Sequence, residues 1–304
     1  MSKTVDIVIP IYKPGTEFIK VLGRLNAQSY RINRIILINT DKEFFDDDKY
    51  LIYPNIEVHH ITHDEFDHGK TRQMGMDMSD ADYVLMMTMD AVPADRNLVA
   101  RLVMALDKEK VAVAYARQLP KQGCNYVERV TRNYNYPDRS RLSSAADIDK
   151  IGIKAIFCSD ACAMYNRRIH NELGGFNERM ILNEDMVYAH KALMAGYSIF
   201  YNAKARVYHS HNYTLKEQFS RNFDIGVSHA VNSEIFLNIS SESEGLRMIN
   251  SVVVSLVKKG RLFDVVYVYI QSAVKFLGYL LGKNYRLLPR EYVRKISMNR
   301  NYWE

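Results

Sequence analysis

Apolar runs and helix-spaced stretches alternate along the first two-thirds of the chain. Val5–Ile11 is a short β-branched run ending around Pro10. Thr16–Gln28 follows with apolar residues at helical spacing, namely Phe18, Ile19, Leu22 and Leu25. Arg34–Asn39 and Asn55–Ile61 predict a second and a third strand, Thr71–Met78 a helix start, and Tyr83–Met87 a fourth strand. Asn97–Asp107 has the pattern of an amphipathic helix and Val111–Ala116 that of a fifth strand. This alternation predicts an α/β fold with an open, mostly parallel sheet flanked by helices and ligands at the carboxyl ends of the strands.

From Arg117 to Asp149 the pattern is lost. That stretch is polar, turn-rich and full of Tyr, Arg and Asn, so it is expected to be a mobile flap or a surface insertion. Phe157–Asn166 restores a buried strand, and Asn171–Phe176 predicts a short helix with a glycine stop. Glu184–Ala195 predicts a helix closed by Gly196, followed by two short strands at Ser198–Tyr201 and Ala205–His209. After Leu215 the chain has helical character to its end. Phe263–Leu281 is apolar but interrupted by Asp264, Gln271 and Lys275, which suits an amphipathic helix better than a membrane span. The expected organisation is an α/β domain over residues 1–235 and a basic, amphipathic helical region over 236–304.

Charge sharpens that division. The chain carries a formal +6 over 304 residues. From Ser251 onward ten bases face three acids, a local +7, so the rest of the chain is close to neutral. A basic tail on a near-neutral globule points to an anionic partner surface, and no nucleic-acid module accompanies it. The tail helices would lie on a membrane, pack on the α/β domain or form a dimer contact. Met1-Ser2-Lys3-Thr4-Val5-Asp6 contains no apolar signal region, and Cys124, Cys158 and Cys162 lack paired zinc spacing, so they are expected to be reduced structural thiols.

Five constellations carry chemistry. Pro10-Ile11-Tyr12 and Asn39-Thr40-Asp41 end two strands where a nucleotide would lie: Tyr12 could stack on a base and Asp41 accept from base or ribose. In Asp67-His68-Gly69-Lys70-Thr71-Arg72, Gly69 allows a tight turn, and Lys70, Arg72 and the N–H groups of a helix start could hold a diphosphate. Thr88-Met89-Asp90-Ala91 puts a carboxylate at the exposed end of a buried strand, a place for a divalent ion bridging two phosphates. Asn183-Glu184-Asp185 offers a general base at a helix start, or simply acids favoured by the helix dipole. His209 and His211 face one side at strand period, and either could complete a metal sphere.

In this order the residues resemble the family 2 glycosyltransferases of the GT-A fold, and within them the bacterial rhamnosyltransferase branch of cell-wall and O-antigen synthesis. The carriers are Val8–Tyr12, Phe66–Arg72, Thr88–Ala91, Gly174-Gly175-Phe176 and Asn183–Asp185, and the likeness spans roughly Val5 to His211. It implies Asp185 as catalytic base, Asp90 with His209 or His211 as ligands of Mn²⁺ or Mg²⁺, and Arg72 on the diphosphate, with Pro10, Tyr12, Asn39, Asp41, His68, Lys70 and Thr88 lining the nucleotide. Ser159 and Asp160, expected to end a strand over Ile156–Cys158, and Glu184 would contact sugar or acceptor. Two positions depart from the branch: Thr88 stands where the first Asp of Asp-x-Asp is expected, and Gln73 where Asn is expected.

The resemblance further implies an inverting transfer from dTDP-β-L-rhamnose to a glycan on a polyprenyl diphosphate. The enzyme would be cytoplasmic, held at the inner face of a bacterial membrane by the tail. The rivals are another nucleotide sugar, carrying galactose, glucose or N-acetylglucosamine, and a non-catalytic partner in an assembly complex. A nucleotidyltransferase would need a Gly-rich basic loop after the first strand, where this chain has only Tyr12-Lys13-Pro14-Gly15.

Overall fold

A computed structural model describes residues 2–237, 239 and 242–304, for 242 and 243 the backbone only. The first half builds a parallel block. β1 (Val5–Tyr12), α1 (Thr16–Asn26), β2 (Arg34–Thr40), β3 (Ile56–Ile61), α2 (His68–Asp77) and β4 (Tyr83–Met87) alternate as expected. β1 pairs in parallel with both β2 and β4, and β3 extends the block beyond β2. β1, β2 and β4 are buried on both faces, which is why they are continuous apolar runs rather than alternating ones, whereas β3 at the sheet edge exposes Glu57 and His60. α1 turns Phe18, Val21, Leu22 and Leu25 onto one face.

The second half is mixed. It contains β5 (Val92–Pro93), α3 (Leu98–Leu106), β6 (Val111–Leu119), α4 (Tyr126–Asn135), β7 (Arg141–Ser143), β8 (Cys162–Asn166), α5 (Arg167–Glu172), α6 (Glu184–Met194) and β9 (Ser198–Tyr208). The sheet order is β3-β2-β1-β4-β8-β6-β9-β5, with β7 on β9. β8 runs antiparallel to both β4 and β6, while β6 and β9 are parallel.

Four expectations are corrected here. The stretch after Arg117 is no loose flap: β6 continues to Leu119, α4 packs on the tail and β7 pairs with β9. Ile156 closes a short helix rather than opening a strand, so Ser159 and Asp160 lie in a turn before β8. The two expected strands after Gly196 are one strand with a bulge. There the register with β6 jumps from Asn202 to Arg206, and the Asn202 side chain accepts from the N–H groups of Lys204 and Ala205. Finally, α2 begins three residues earlier than expected.

Beyond β9 the chain forms α7 (Leu215–Val231), α8 (Glu242–Val257), α9 (Leu262–Lys283) and α10 (Arg290–Ile296). α7 and α9 lie almost backbone to backbone: a Cβ at Gly282 would fall 2.0 Å from the Phe223 carbonyl oxygen. α9 is long and apolar enough to cross a membrane by length and composition, contrary to the sequence expectation. Here one side of it covers α7, and Phe263, Val266, Tyr269, Phe276 and Leu277 are exposed on the rest.

Candidate active site

The turns after β1 and β4, the turn before β8, the starts of α2 and α6, and the end of β9 converge on one cleft of about 490 Å³. Pro10, Tyr12, His68, Arg72, Thr88, Asp90, Ser159, Asp160, Glu184, Asp185, His209 and His211 all line it. Asn39, Asp41 and Lys70 do not. Asn39 is fully buried under the end of β2, where its amide donates to the Asp41 carbonyl and meets His60 Nδ1. Asp41 sits on the rim 3.8 Å from His63, and Lys70 is on the outer surface.

One end of the cleft gathers Asp90, His209 and His211. Both histidines take part: their Nε2 atoms lie 3.4 and 3.6 Å from the two Asp90 oxygens and 3.1 Å from each other. Their neighbours fix the protonation. Arg132 can only donate, so the Gln118 oxygen accepts from it at 2.5 Å. His209 Nδ1, 2.8 Å from the same oxygen, is therefore the protonated nitrogen, which leaves the Nε2 lone pair facing a carboxylate and a second imidazole. His211 Nε2 can donate to that lone pair across 3.1 Å, and when both imidazoles are free to accept a cation, one carboxylate with two imidazoles is a donor set that divalent metals accept. Burial works to raise the Asp90 carboxyl, but His209, His211 and Lys121 together hold it well below the usual range. Burial, then His209, brings the His211 ring down to about 4. Thr88 adds a buried hydroxyl with no hydrogen-bond partner among the described residues, at the same cleft.

The other end gathers three acids around one guanidinium. Arg72 is 7% exposed; its Nε lies 3.0 Å from Asp160 Oδ2 and its Nη1 3.0 Å from Glu184 Oε1. Asp160 also accepts from Tyr165 and, through its own backbone N–H, donates to Asp185 Oδ2 at 3.1 Å. Three carboxyls and one fixed cation leave an excess of negative charge. Burial, then Glu184 and Asp160, pushes Asp185 well above the ordinary carboxylate range. Burial takes Asp160 to about 7 against the pull of Arg72. Glu184 moves the other way: burial opposes its ionisation, and Arg72, the largest opposing influence, wins. A raised carboxyl facing a cleft is the character expected of a general base working near neutral pH.

The basic block is arranged differently from its sequence reading. Asp67 caps α2 by accepting from the N–H groups of Gly69 and Lys70, both at 2.9 Å, so that helix start is already filled. Gly69 serves a close approach rather than a turn, since a Cβ there would meet the Asn177 carbonyl oxygen at 1.9 Å. Arg72 is committed to the acids.

Sequence reading missed several residues. Gln118 lies on a stretch too polar to look like a strand, yet it orients His209 and also donates to Ser159 at 2.9 Å. Lys121 reaches Asp90 at 3.3 Å. Arg221, on α7, lines the cleft without a carboxylate partner among the described residues. Helical spacing alone gave no signal for it.

The model of Glycosyl transferase family 2 matches residues 6–174 of the chain. The O-antigen chain rhamnosyltransferase RfbN of Salmonella typhimurium is 36% identical over 301 residues, covering 98% of this chain and 96% of that protein. The O-antigen chain rhamnosyltransferase WbaN of Salmonella anatum is 34% identical over 302 residues, covering 98% and 95%. Among solved structures, the mannosyltransferase PcManGT from Pyrobaculum calidifontis in complex with GDP-Man and Mn²⁺ superposes with a TM-score of 0.61 at 12% identity, over 93% of this chain and 88% of that one. S. aureus TarS 1-349 in complex with UDP-GlcNAc gives 0.52 at 14% identity, over 93% and 91%. At such identities these two likenesses show a shared GT-A-type fold.

Proposed function

The chain belongs to glycosyl transferase family 2, and on that premise we propose that it moves L-rhamnose from dTDP-β-L-rhamnose to a hydroxyl of a lipid-linked glycan during O-antigen synthesis. The observation that carries the reading is the convergence of Asp90 and Asp185 on one cleft, in a chain similar along nearly its whole length to two named O-antigen rhamnosyltransferases. Asp90, His209 and His211 hold the divalent ion, Mn²⁺ or Mg²⁺, which when bound neutralises charge on the leaving diphosphate. Arg221 and Lys121 are the cations placed to share that charge, and Thr88 adds a hydroxyl donor. Arg72 orders the acid cluster.

The reaction is a single displacement. Asp185 takes the proton of the acceptor hydroxyl. The acceptor oxygen bonds to the anomeric carbon from the face opposite the diphosphate, the bond to the diphosphate oxygen breaks, and the β-configured donor gives an α-rhamnoside. The acceptor occupies a neighbouring cavity of about 920 Å³ that shares Phe157, Asn183, Met186 and Arg221 with the cleft. Tyr134, Phe157 and Tyr201 offer aromatic faces to sugar rings, and Arg139 and Arg141 offer cations to a carrier diphosphate.

Residues 236–304 have a role apart from that of 1–235, since they wall the cavities and hold the enzyme to the inner face of the membrane. The exposed apolar side of α9 beside Lys258, Lys259, Arg261, Lys283 and Arg286 supports this, as apolar insertion and attraction to anionic lipid act together. Flotation with anionic vesicles should be lost in high salt or in a Phe263→Asp/Val266→Asp variant. Survival of flotation in that variant, or its conversion from dimer to monomer, would reassign the face. Incubation with a panel of nucleotide sugars and Mn²⁺, with the product's anomeric configuration read by NMR, tests the chemistry. An α-rhamnoside from dTDP-rhamnose is expected; faster transfer of another sugar, or a β-linked product, would displace this reading.

A further inference from the structure

A short segment after α10 reaches back across the molecule to the start of α2. Asp224, fully buried on α7, accepts through Oδ2 from the N–H groups of Met298 and Asn299, at 2.9 and 3.1 Å, and from the Asn299 side-chain amide at 3.0 Å. With its Nδ2 committed there, Asn299 presents Oδ1 to His68 Nε2 at 3.1 Å. An amide oxygen can only accept, so His68 carries its proton on Nε2. Its Nδ1 is then a lone pair, and Arg72 Nη1, which can only donate, lies 3.4 Å away while also donating to the His68 carbonyl at 3.0 Å. Asn301 adds a second bridge, its amide donating to the His63 carbonyl at 2.9 Å. The polarity therefore runs unbroken from Arg72 to His68, Asn299 and Asp224. Burial, the largest influence on His68, lowers the pKa of the ring, the direction that suits this order.

The same segment walls a cavity of about 460 Å³. Tyr12, Thr40 and His63 face it from the carboxyl ends of β1, β2 and β3, and Met298, Asn299 and Tyr302 face it from the segment. Tyr12, Phe66 and His68 line both this cavity and the catalytic cleft, so the two are continuous at the edge of the sheet where β1 and β2 end. A ligand with its charged end at Asp90 and its flat end toward Tyr12 would extend into it.

We propose that the segment Ser297–Trp303 is part of the donor site: it completes the compartment for the base and ribose of the nucleoside diphosphate, and Asn299 is a positioning residue that fixes His68 and, through it, Arg72. The proposal rests on the reading of the cleft as a nucleotide-sugar site. It assigns donor recognition to a residue 231 positions away from the one it orients.

Calorimetric titration of the full chain with dTDP and Mn²⁺ tests it. Asn299→Ala should raise the Kd about tenfold, the loss of one to two hydrogen bonds. Its kcat at saturating donor should stay within about threefold. His68→Ala should raise the Kd by a similar factor, and the double variant should bind no worse than His68→Ala alone, because the first residue acts through the second. A merely structural role would give additive losses and a lowered kcat. An unchanged Kd in Asn299→Ala, or additive effects, would overturn the proposal. Should Asn299→Ala fail to fold, Asn301→Ala decides: a rise of about threefold supports it and an unchanged Kd overturns it. A natural chain that binds no nucleoside diphosphate would overturn the reading of the cleft itself, and this inference with it.

Discussion

The sheet and the helices after residue 236 both line the cavities around the cleft, yet they are built on different scales. The sheet separates two broad cores whose strand residues, such as Val8, Ile36, Val84 and Ala163 on one face and Ile7, Ile35, Leu85 and Met164 on the other, are fully buried. The tail helices rest on two small clusters: Val127, Val252, Leu256 and Val268, and Ile181, Phe223, Val227 and Val293. Each cluster borrows at least one residue from the earlier chain. The groups proposed to move a proton or hold an ion stand on the sheet side, where side chains of facing elements over-determine their positions. Walls that only shape a compartment are lent by the thinner part. Damage to the sheet side should therefore show in kcat, and damage to the tail in affinity and stability.

The largest effect is expected at Asp185. Asp185→Asn removes the base at unchanged size, although its single amide oxygen can keep only one of the two backbone N–H bonds that Asp160 and Met186 donate to the carboxylate. Transfer should fall by about 10²–10⁴-fold, with dTDP affinity and thermal melting near those of the natural chain. Full activity in this variant would remove Asp185 from the mechanism. Next comes the ion. EDTA should suppress transfer and added Mn²⁺ or Mg²⁺ restore it, and Asp90→Ala should weaken dTDP binding only when metal is present. Metal-independent turnover, with no metal found by elemental analysis, would leave Asp90, His209 and His211 as a structural cluster.

That same division explains what was legible in the sequence. Four of the five strands expected in the first 116 residues could be read because each is buried on both faces and needs only apolar residues, and the third, at the sheet edge, because Ile56, Val58 and Ile61 still mark it. Asp90 and both histidines could be read because they follow strands, and Asp185 because it opens a well-marked helix. Gln118 could not be, since a polar residue inside a strand looks like a loop until its partners Arg132, Ser159 and His209 are assembled around it. Arg72 was legible as a functional cation but not as the centre of an acid cluster, because Asp160 and Glu184 come from distant elements. The 117–149 stretch took its order from pairing with β9 and packing on α8, contacts that no local pattern records. Asn299 was invisible for the same reason.

A subtler test concerns the acid cluster. Glu184 is one of the charges that raises Asp185, behind burial alone. Asp185 must be ionised to accept a proton, so activity rises with pH through its folded pKa. Glu184→Gln removes a neighbouring negative charge, favours ionisation, and should move the acid limb of kcat/KM to lower pH. Arg72 keeps Asp160 as its partner in that variant. A limb that stays in place would mean that a different group titrates in it.

The smallest effect on chemistry is expected where the tail meets α7. Gly282 and Gly278 let α9 touch the α7 backbone, and an added Cβ would lie 2.0 Å from the Phe223 carbonyl oxygen at the first and 2.4 Å from that of Phe219 at the second. Neither obstacle is a flexible side-chain tip, so the helix itself must move. Gly282→Ala gains helix propensity but loses about 1–3 kcal/mol to overpacking, which should lower the melting temperature by several degrees. Because α7 carries Arg221 and Asp224, a displaced α9 should also weaken dTDP binding slightly while leaving kcat at saturating donor unchanged. If kcat fell in step with stability, tail and sheet would be one mechanical unit, and the division between groups that react and walls that shape would not hold in this enzyme.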